Sequence, residues 1–234
     1  VMTILVLYHL SGYKNLKAFY LQEILRHHSS DFPRLCSYQR FVQLQSRCVM
    51  PLFFYLLTKL GSCTGISFID ATPLKVCHNL RIPSHRVFRG SAERDKSSTG
   101  WYYGFKLHLA INEKGEILGF YLTSANVDER ETVDWITQDL WGKLIGDKGY
   151  ISKSLFEKLM QRGLKLITKL RKNMKNRFVE MEDKLLLRKR AIIETVNDQL
   201  KNISNIEHSR HRSLWNFLGN LASGLIAYCW MEKK

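Results

Sequence analysis

Helical periodicity stops at Gly65, and the strand-like pattern beyond that glycine constrains the fold more than any other feature of the chain. Before it, Leu16, Phe19, Tyr20, Ile24 and Leu25 recur at three-to-four spacing, and Phe41, Leu44, Met50, Leu52 and Leu56 carry a compatible pattern past Pro33. After it, Ser67-Phe68-Ile69-Asp70-Ala71-Thr72-Pro73-Leu74 reads as a strand that Pro73 stops, with Asp70 near its centre. The segments 104–111 and 117–122 are strands joined by the polar link Asn112-Glu113-Lys114-Gly115-Glu116, a hairpin pattern. Residues 129–141 place Val133, Ile136 and Leu140 on one helical face. Leu144-Ile145-Gly146-Asp147 is a short strand, Ser152 opens a helix that Gly163 ends, and 164–170 is a fifth strand. Long helices are expected over 182–203 and 213–231, and residues 75–100, rich in Arg, Ser and Gly, read as a long loop.

Three strands, helix, strand, helix, strand, helix is an α/β order. It predicts a mixed five-stranded sheet flanked by helices, in a domain over 63–234 that comes after a helical region over 1–62. That first region is expected to be the remnant of a DNA-binding head. Val1 in place of Met suggests a start inside a longer reading frame. The run Val1–Leu7 has no basic flank or small-residue cleavage site, so it is not expected to be a signal peptide. Leu214–Trp230 is apolar but interrupted by Asn216, Asn220 and Ser223, and reads as a buried helix rather than a membrane span.

Charge narrows the class of partner. The 234 residues carry 36 Lys and Arg against 21 Asp and Glu, a net charge of +15. Residues 143–213 alone hold eighteen basic and eight acidic side chains, whereas 107–142 hold two and seven. Basic blocks flanking an acidic segment suit a groove for a phosphate backbone, because each neutralised phosphate releases counterions. A membrane and a small-molecule substrate are not expected. The five cysteines are odd in number, widely spaced and without a C-x-x-C pair, so neither a disulfide framework nor a cysteine zinc site is suggested. His208 and His211 lack the cysteine pair that would make them zinc ligands.

Three acids occupy unusual places. Asp70 sits among apolar and small strand residues, Asp147 ends the strand Leu144-Ile145-Gly146, and Glu194 comes after Ala191-Ile192-Ile193 on the helix side expected to face the sheet. Carboxylates gathered at a sheet end repel one another until divalent cations neutralise them, and Mg²⁺ takes oxygen ligands. Two such ions can activate a nucleophile and stabilise the leaving oxygen of a phosphodiester. Arg190 and Lys201 share a helical face with Glu194, so they read either as a solvated salt-bridged surface or as phosphate contacts beside the acids. Asp128 and Glu129 read as acids complementing a helix N-terminus. Trp101, Tyr102 and Tyr103, beside Lys106 and His108, suit either base stacking or core packing. Arg81, Arg86, Arg89 and Arg94 are expected to stay unordered without DNA, and Met174, Lys175 and Arg177 to form a similar basic turn.

These residues resemble the bacterial insertion-sequence transposases that use an Asp-Asp-Glu triad on an RNase H-like fold, most of all the insertion-sequence family usually numbered nine-eighty-two. The resemblance rests on Phe68–Leu74, Trp101–His108, Gly146-Asp147-Lys148-Gly149-Tyr150, and Arg190-x3-Glu194-x6-Lys201. The last matches three of four positions of a Tyr-x2-Arg-x3-Glu-x6-Lys signature, the Tyr position being Leu187. The resemblance implies that Asp70, Asp147 and Glu194 are the catalytic, metal-binding triad for two Mg²⁺ or Mn²⁺ ions. It implies DNA contacts from Arg190 and Lys201, and the charge pattern adds Lys106, Lys148, Arg86 and Arg89. It further implies transposon ends and target DNA as partners, a homodimer on DNA, and a bacterial cytoplasmic, nucleoid-associated location. A nuclease of the same fold without strand transfer, and an inactive DNA-binding remnant, are the rival expectations.

Overall fold

The computed structural model describes residues 1–97, 100–169, 180–207 and 210–233. The chain divides into two compact units, one made of 1–59, 86–89 and 198–232, the other of 60–85, 90–197 and 233–234.

The first unit is helical. It contains α1 (Met2–Leu10), α2 (Leu16–Ala18), a π-form stretch Phe19–Ile24, α3 (Leu25–His27), α4 (Tyr38–Gln45), α5 (Val49–Leu57) and α10 (Leu214–Trp230). Caps fix the helix starts: Asn15 accepts from the Ala18 amide, Ser37 from Arg40 and Ser213 from Asn216. The apolar α10 packs against α1 and α5 and buries Phe217, Leu221, Leu225 and Ile226. Among the described residues no helix is long and apolar enough to cross a membrane. Among the described residues, which include all five cysteines, no disulfide is formed.

The second unit is built on one mixed sheet of six strands: β1 (Ile66–Lys75), β2 (Glu93–Ser97), β3 (Gly100–Asn112), β4 (Ile117–Ser124), β5 (Gly142–Gly146) and β6 (Leu164–Thr168). Its order is β2-β3-β1-β5-β6, with β4 also paired to β3. Strands β1 and β3 run antiparallel, whereas β1, β5 and β6 run parallel. The helical elements α6 (Val133–Ile136), α7 (Lys153–Gln161), α8 (Met181–Lys189) and the start of α9 (Ala191–Asn202) complete the unit. The α/β mixed sheet with flanking helices is the fold class expected. Ile69, Leu144, Leu164, Leu166, Val133, Leu155 and Leu159 form its core. Each such side chain removed from water contributes about 1.5–3 kcal/mol.

Four local expectations are corrected. Residues 93–97, read as loop, form the edge strand β2, held by main-chain pairing to Gly100–Gly104. The helix expected over 129–141 shrinks to a 3₁₀ turn, Glu129–Thr132, and α6. The Thr137 hydroxyl bonds to the Val133 carbonyl at that helix end, and Gly142, at φ +85°, swings the chain into β5. The helix expected over 182–203 is two, α8 and α9, parted at Arg190. Each half has its own polar anchor. Asp183 of α8 binds Lys143 of β5 and Lys165 of β6 at 2.9 and 3.0 Å, while Arg190 and Asn197 bind Asp70 of β1. The arginine-rich segment expected to be unordered holds a 3₁₀ turn, Asn79–Ser84, besides β2.

Candidate active site

Parallel pairing brings two of the acids together. The β1–β5 ladder ends at Phe68 opposite Ile145. Two residues further along stand Asp70, still in β1, and Asp147, the extended residue just past β5, and residues two apart along an extended chain share a sheet face. The register therefore sets both carboxylates at one end of the strand pair, on the same side. Asp147 caps the turn Lys148–Tyr150, its Oδ1 accepting from the Gly149 amide at 2.6 Å.

The third acid joins through a cation. Arg190 donates from Nη2 to Asp70 Oδ1 at 3.1 Å and from Nη1 to Glu194 Oε1 at 2.9 Å. Asn197 Nδ2 donates to Asp70 Oδ2 at 3.0 Å. Burial pushes the Asp70 carboxyl up to about 6; Arg190 pulls it down, and the Asp147 charge adds to the rise. Glu194 does not face the sheet as expected. Ile193, Val196, Asn197 and Leu200 make the inward stripe of α9, and the Glu194 side chain is 60% exposed.

Lys106 also departs from its expected role. Its ammonium is buried, 3.1 Å from Asp95 Oδ2, 3.1 Å from the Val127 carbonyl and 4.0 Å from Glu129 Oε1. It neutralises acids inside the unit instead of facing a phosphate. Lys148 is exposed beside Asp147. Lys201, in the helical unit, pairs with Glu207 at 3.3 Å, and Arg86 and Arg89 are exposed residues of that same unit. Trp101 is exposed with the Arg94 guanidinium over its ring, while Tyr102 and Tyr103 are buried as core. The basic turn at Met174, Lys175 and Arg177, and His208, lie outside the described residues.

One further acid, read from sequence as part of a helix start, is placed near Asp147. Asp128 performs the helix-start role, accepting from the Arg130 amide, and Glu129 is turned inward instead. Burial pushes the Glu129 carboxyl up to about 7, against the pull of Lys106 and reinforced by the charges of Asp147 and Asp70. The usable signal was a second acid directly after the capping one.

The donors here are all oxygen, the set a hard divalent cation takes. Three polar atoms in this region are buried without a hydrogen-bond partner among the described residues: Arg190 Nε, Asn197 Oδ1 and Tyr150 Oη. The carboxyls of Asp70 and Glu129 are raised chiefly by burial, with the neighbouring acid charges adding to the rise, and a bound cation would relieve that cost. Among the described residues, however, no three His, Cys, Asp or Glu side chains converge enough to hold a metal as they stand. The Arg190 guanidinium bridges Asp70 and Glu194 instead.

A family model described as the transposase DDE domain matches residues 60–214. The cryo-EM structure of the piggyBac transposase synaptic complex with hairpin DNA has a similar fold, with a TM-score of 0.57 at 11% sequence identity. The similarity covers 97% of this chain and 62% of that one, so this chain spans under two thirds of that protein's length. No curated protein matches the sequence. The family match is to transposase DDE domains as a whole and does not single out the nine-eighty-two group. With the match spanning the strands and helices that carry Asp70, Asp147 and Glu194, the chain belongs to the transposase DDE domain family.

Proposed function

We propose that this chain is the catalytic part of a DNA transposase that cuts phosphodiester bonds at insertion-sequence ends and joins the freed 3′-hydroxyl to target DNA. The observation that carries this reading is the placing of Asp70 and Asp147 two residues past the last β1–β5 pair, Phe68 and Ile145, with Glu194 tied to Asp70 through Arg190. Asp70, Asp147 and Glu194 would hold one or two Mg²⁺ or Mn²⁺ ions. A bound divalent ion supplies Lewis-acid charge to the scissile phosphate and lowers the pKa of the attacking oxygen.

The residues of this chain have separate tasks in that reaction. Glu194, exposed on a long side chain, swings toward Asp70 once Arg190 releases it. Arg190 then offers its guanidinium to a phosphate oxygen, the planar fork matching that geometry. Lys148, exposed beside Asp147, meets the strand flanking the cut. Water attacks first, and the resulting 3′-hydroxyl attacks the target in line. Neither step needs a covalent protein–DNA bond, consistent with a Tyr150 hydroxyl buried too deeply to serve as nucleophile. Strand transfer acts on two ends, so a homodimer on DNA is the working assembly.

The test combines a labelled end duplex with a plasmid target in Mg²⁺. Joined product supports transposition. Cleavage without joining supports a nuclease of this fold. Absence of Mg²⁺-dependent nicking, with Asp147→Asn behaving as wild type, supports a DNA-binding remnant.

A further inference from the structure

Glu129 comes from a segment outside the triad motifs, yet its 3₁₀ turn, Glu129–Thr132, packs on the turn Lys148–Tyr150 next to Asp147. Gly149 shows how close the two acids come. A Cβ built on Gly149 would lie 2.9 Å from Asp147 Oδ1 and 3.4 Å from Glu129 Oε2. Two carboxylate oxygens from different turns thus face one small space that a glycine keeps open.

A second observation points to a ligand there. Tyr150 is wholly buried, and its hydroxyl has no hydrogen-bond partner among the described residues. That hydroxyl feels the charges of Glu129, Asp70 and Asp147 together. A buried donor without a partner is costly unless neighbouring groups take a different arrangement in the working state. Hydroxyls that donate to ligating carboxylates are the usual outer support of a metal site.

We propose that Glu129 is a fourth carboxylate of the site and shares with Asp147 a divalent cation seated beside Gly149. This rests on the reading of Asp70, Asp147 and Glu194 as metal-binding acids. Lys106 is then the resident counter-charge of Glu129, 4.0 Å away, holding the carboxylate near the site when no cation is bound. Binding draws Glu129 from Lys106 toward Asp147, while Lys106 keeps its contacts with Asp95 and the Val127 carbonyl. The same movement brings a carboxylate oxygen to the Tyr150 hydroxyl.

The experiment is a Mn²⁺ titration of the full chain without DNA, with free Mn²⁺ followed by electron paramagnetic resonance, for wild type, Asp147→Asn, Glu129→Gln and Gly149→Ala. Circular dichroism checks that each variant is folded. The expected result is a loss of affinity of about tenfold or more in all three variants. The alanine methyl acts by filling the space where the two oxygens meet. If Glu129→Gln fails to fold, Gly149→Ala and the shorter Glu129→Asp carry the test. Weakening by Asp147→Asn with unchanged affinity in Glu129→Gln and Gly149→Ala overturns this inference and leaves the triad reading intact, with Glu129 serving only to neutralise Lys106. Unchanged affinity in Asp147→Asn overturns the triad reading itself, and this inference with it.

Discussion

The Arg190 guanidinium lies 3.1 Å from the Asp70 carboxylate, joining the middle of β1 to the junction of α8 and α9 across 120 residues of sequence. The same guanidinium holds Glu194 at 2.9 Å. One cation thus gathers two acids that would otherwise repel each other.

Replacing that cation leaves Asp70 half-buried with Asn197 as its remaining side-chain hydrogen-bond partner among the described residues. Arg190→Gln is therefore expected to destabilise the fold by about 2 kcal/mol, below the cost of breaking a fully buried pair because water still reaches the site. It is also expected to slow strand cleavage by about a hundredfold, the scale of losing one aligned charge donor in a reaction centre. Urea unfolding and a nicking assay on end DNA check the two effects separately. A variant that keeps both wild-type stability and rate would mean the contact is incidental.

Asp70 gives a pH prediction whose sign comes from its raised carboxyl. Folding lifts it from the usual 3.8 to about 6, chiefly by burial. The folded state thus binds this proton more tightly than the unfolded state. Stability present below about pH 4 is lost as pH rises through about 6. Asp70→Asn, which removes the charge, is expected to be more stable than wild type by about 2 kcal/mol at pH 8. The gap should shrink as pH falls through about 6 and close only below about pH 4. Paired urea midpoints across that range measure it, and a gap independent of pH would refute the assignment.

Gly104 is expected to tolerate no side chain. A Cβ there would stand 2.0 Å from the Leu74 carbonyl oxygen, where β3 crosses to pair with β1. Backbone on a central strand cannot yield as a side-chain tip can. Gly104→Ala is expected to cost at least about 3 kcal/mol, an overpacking penalty at the upper end of its range. Thermal unfolding followed by circular dichroism reads it directly.

Sequence revealed the site unevenly, for physical reasons. Asp70 and Asp147 stood out because a charge in an apolar strand is rarely placed there without a partner. The hairpin around Asn112–Glu116 was legible from its turn residues, and Gly115 does take φ +79°. Strand β2 was not, since Glu-Arg-Asp-Lys-Ser has no alternation and the strand is held at the sheet edge by main-chain bonds. The break at Arg190 leaves no local mark because 182–203 is helical in propensity throughout; the anchors that part it, Asp183 and Arg190, act on distant strands. Glu129 was hidden by a plausible local role that Asp128 fills. Lys106 looked like a phosphate ligand because its acidic partners, Asp95 and Glu129, are brought to it only by tertiary folding.

The proposed catalysis requires Asp70, Asp147 and Glu194 to act as one unit. The decisive measurement is the rate at which 3′-hydroxyl ends are released from a labelled end duplex in Mg²⁺, for wild type, Asp70→Asn, Asp147→Asn, Glu194→Gln and the triple variant. Groups that work together lose nearly everything when any one is removed, so each single variant is expected to fall by about a thousandfold or more, to nearly the level of the triple. A wild-type rate in any one of the three single variants would contradict that unity.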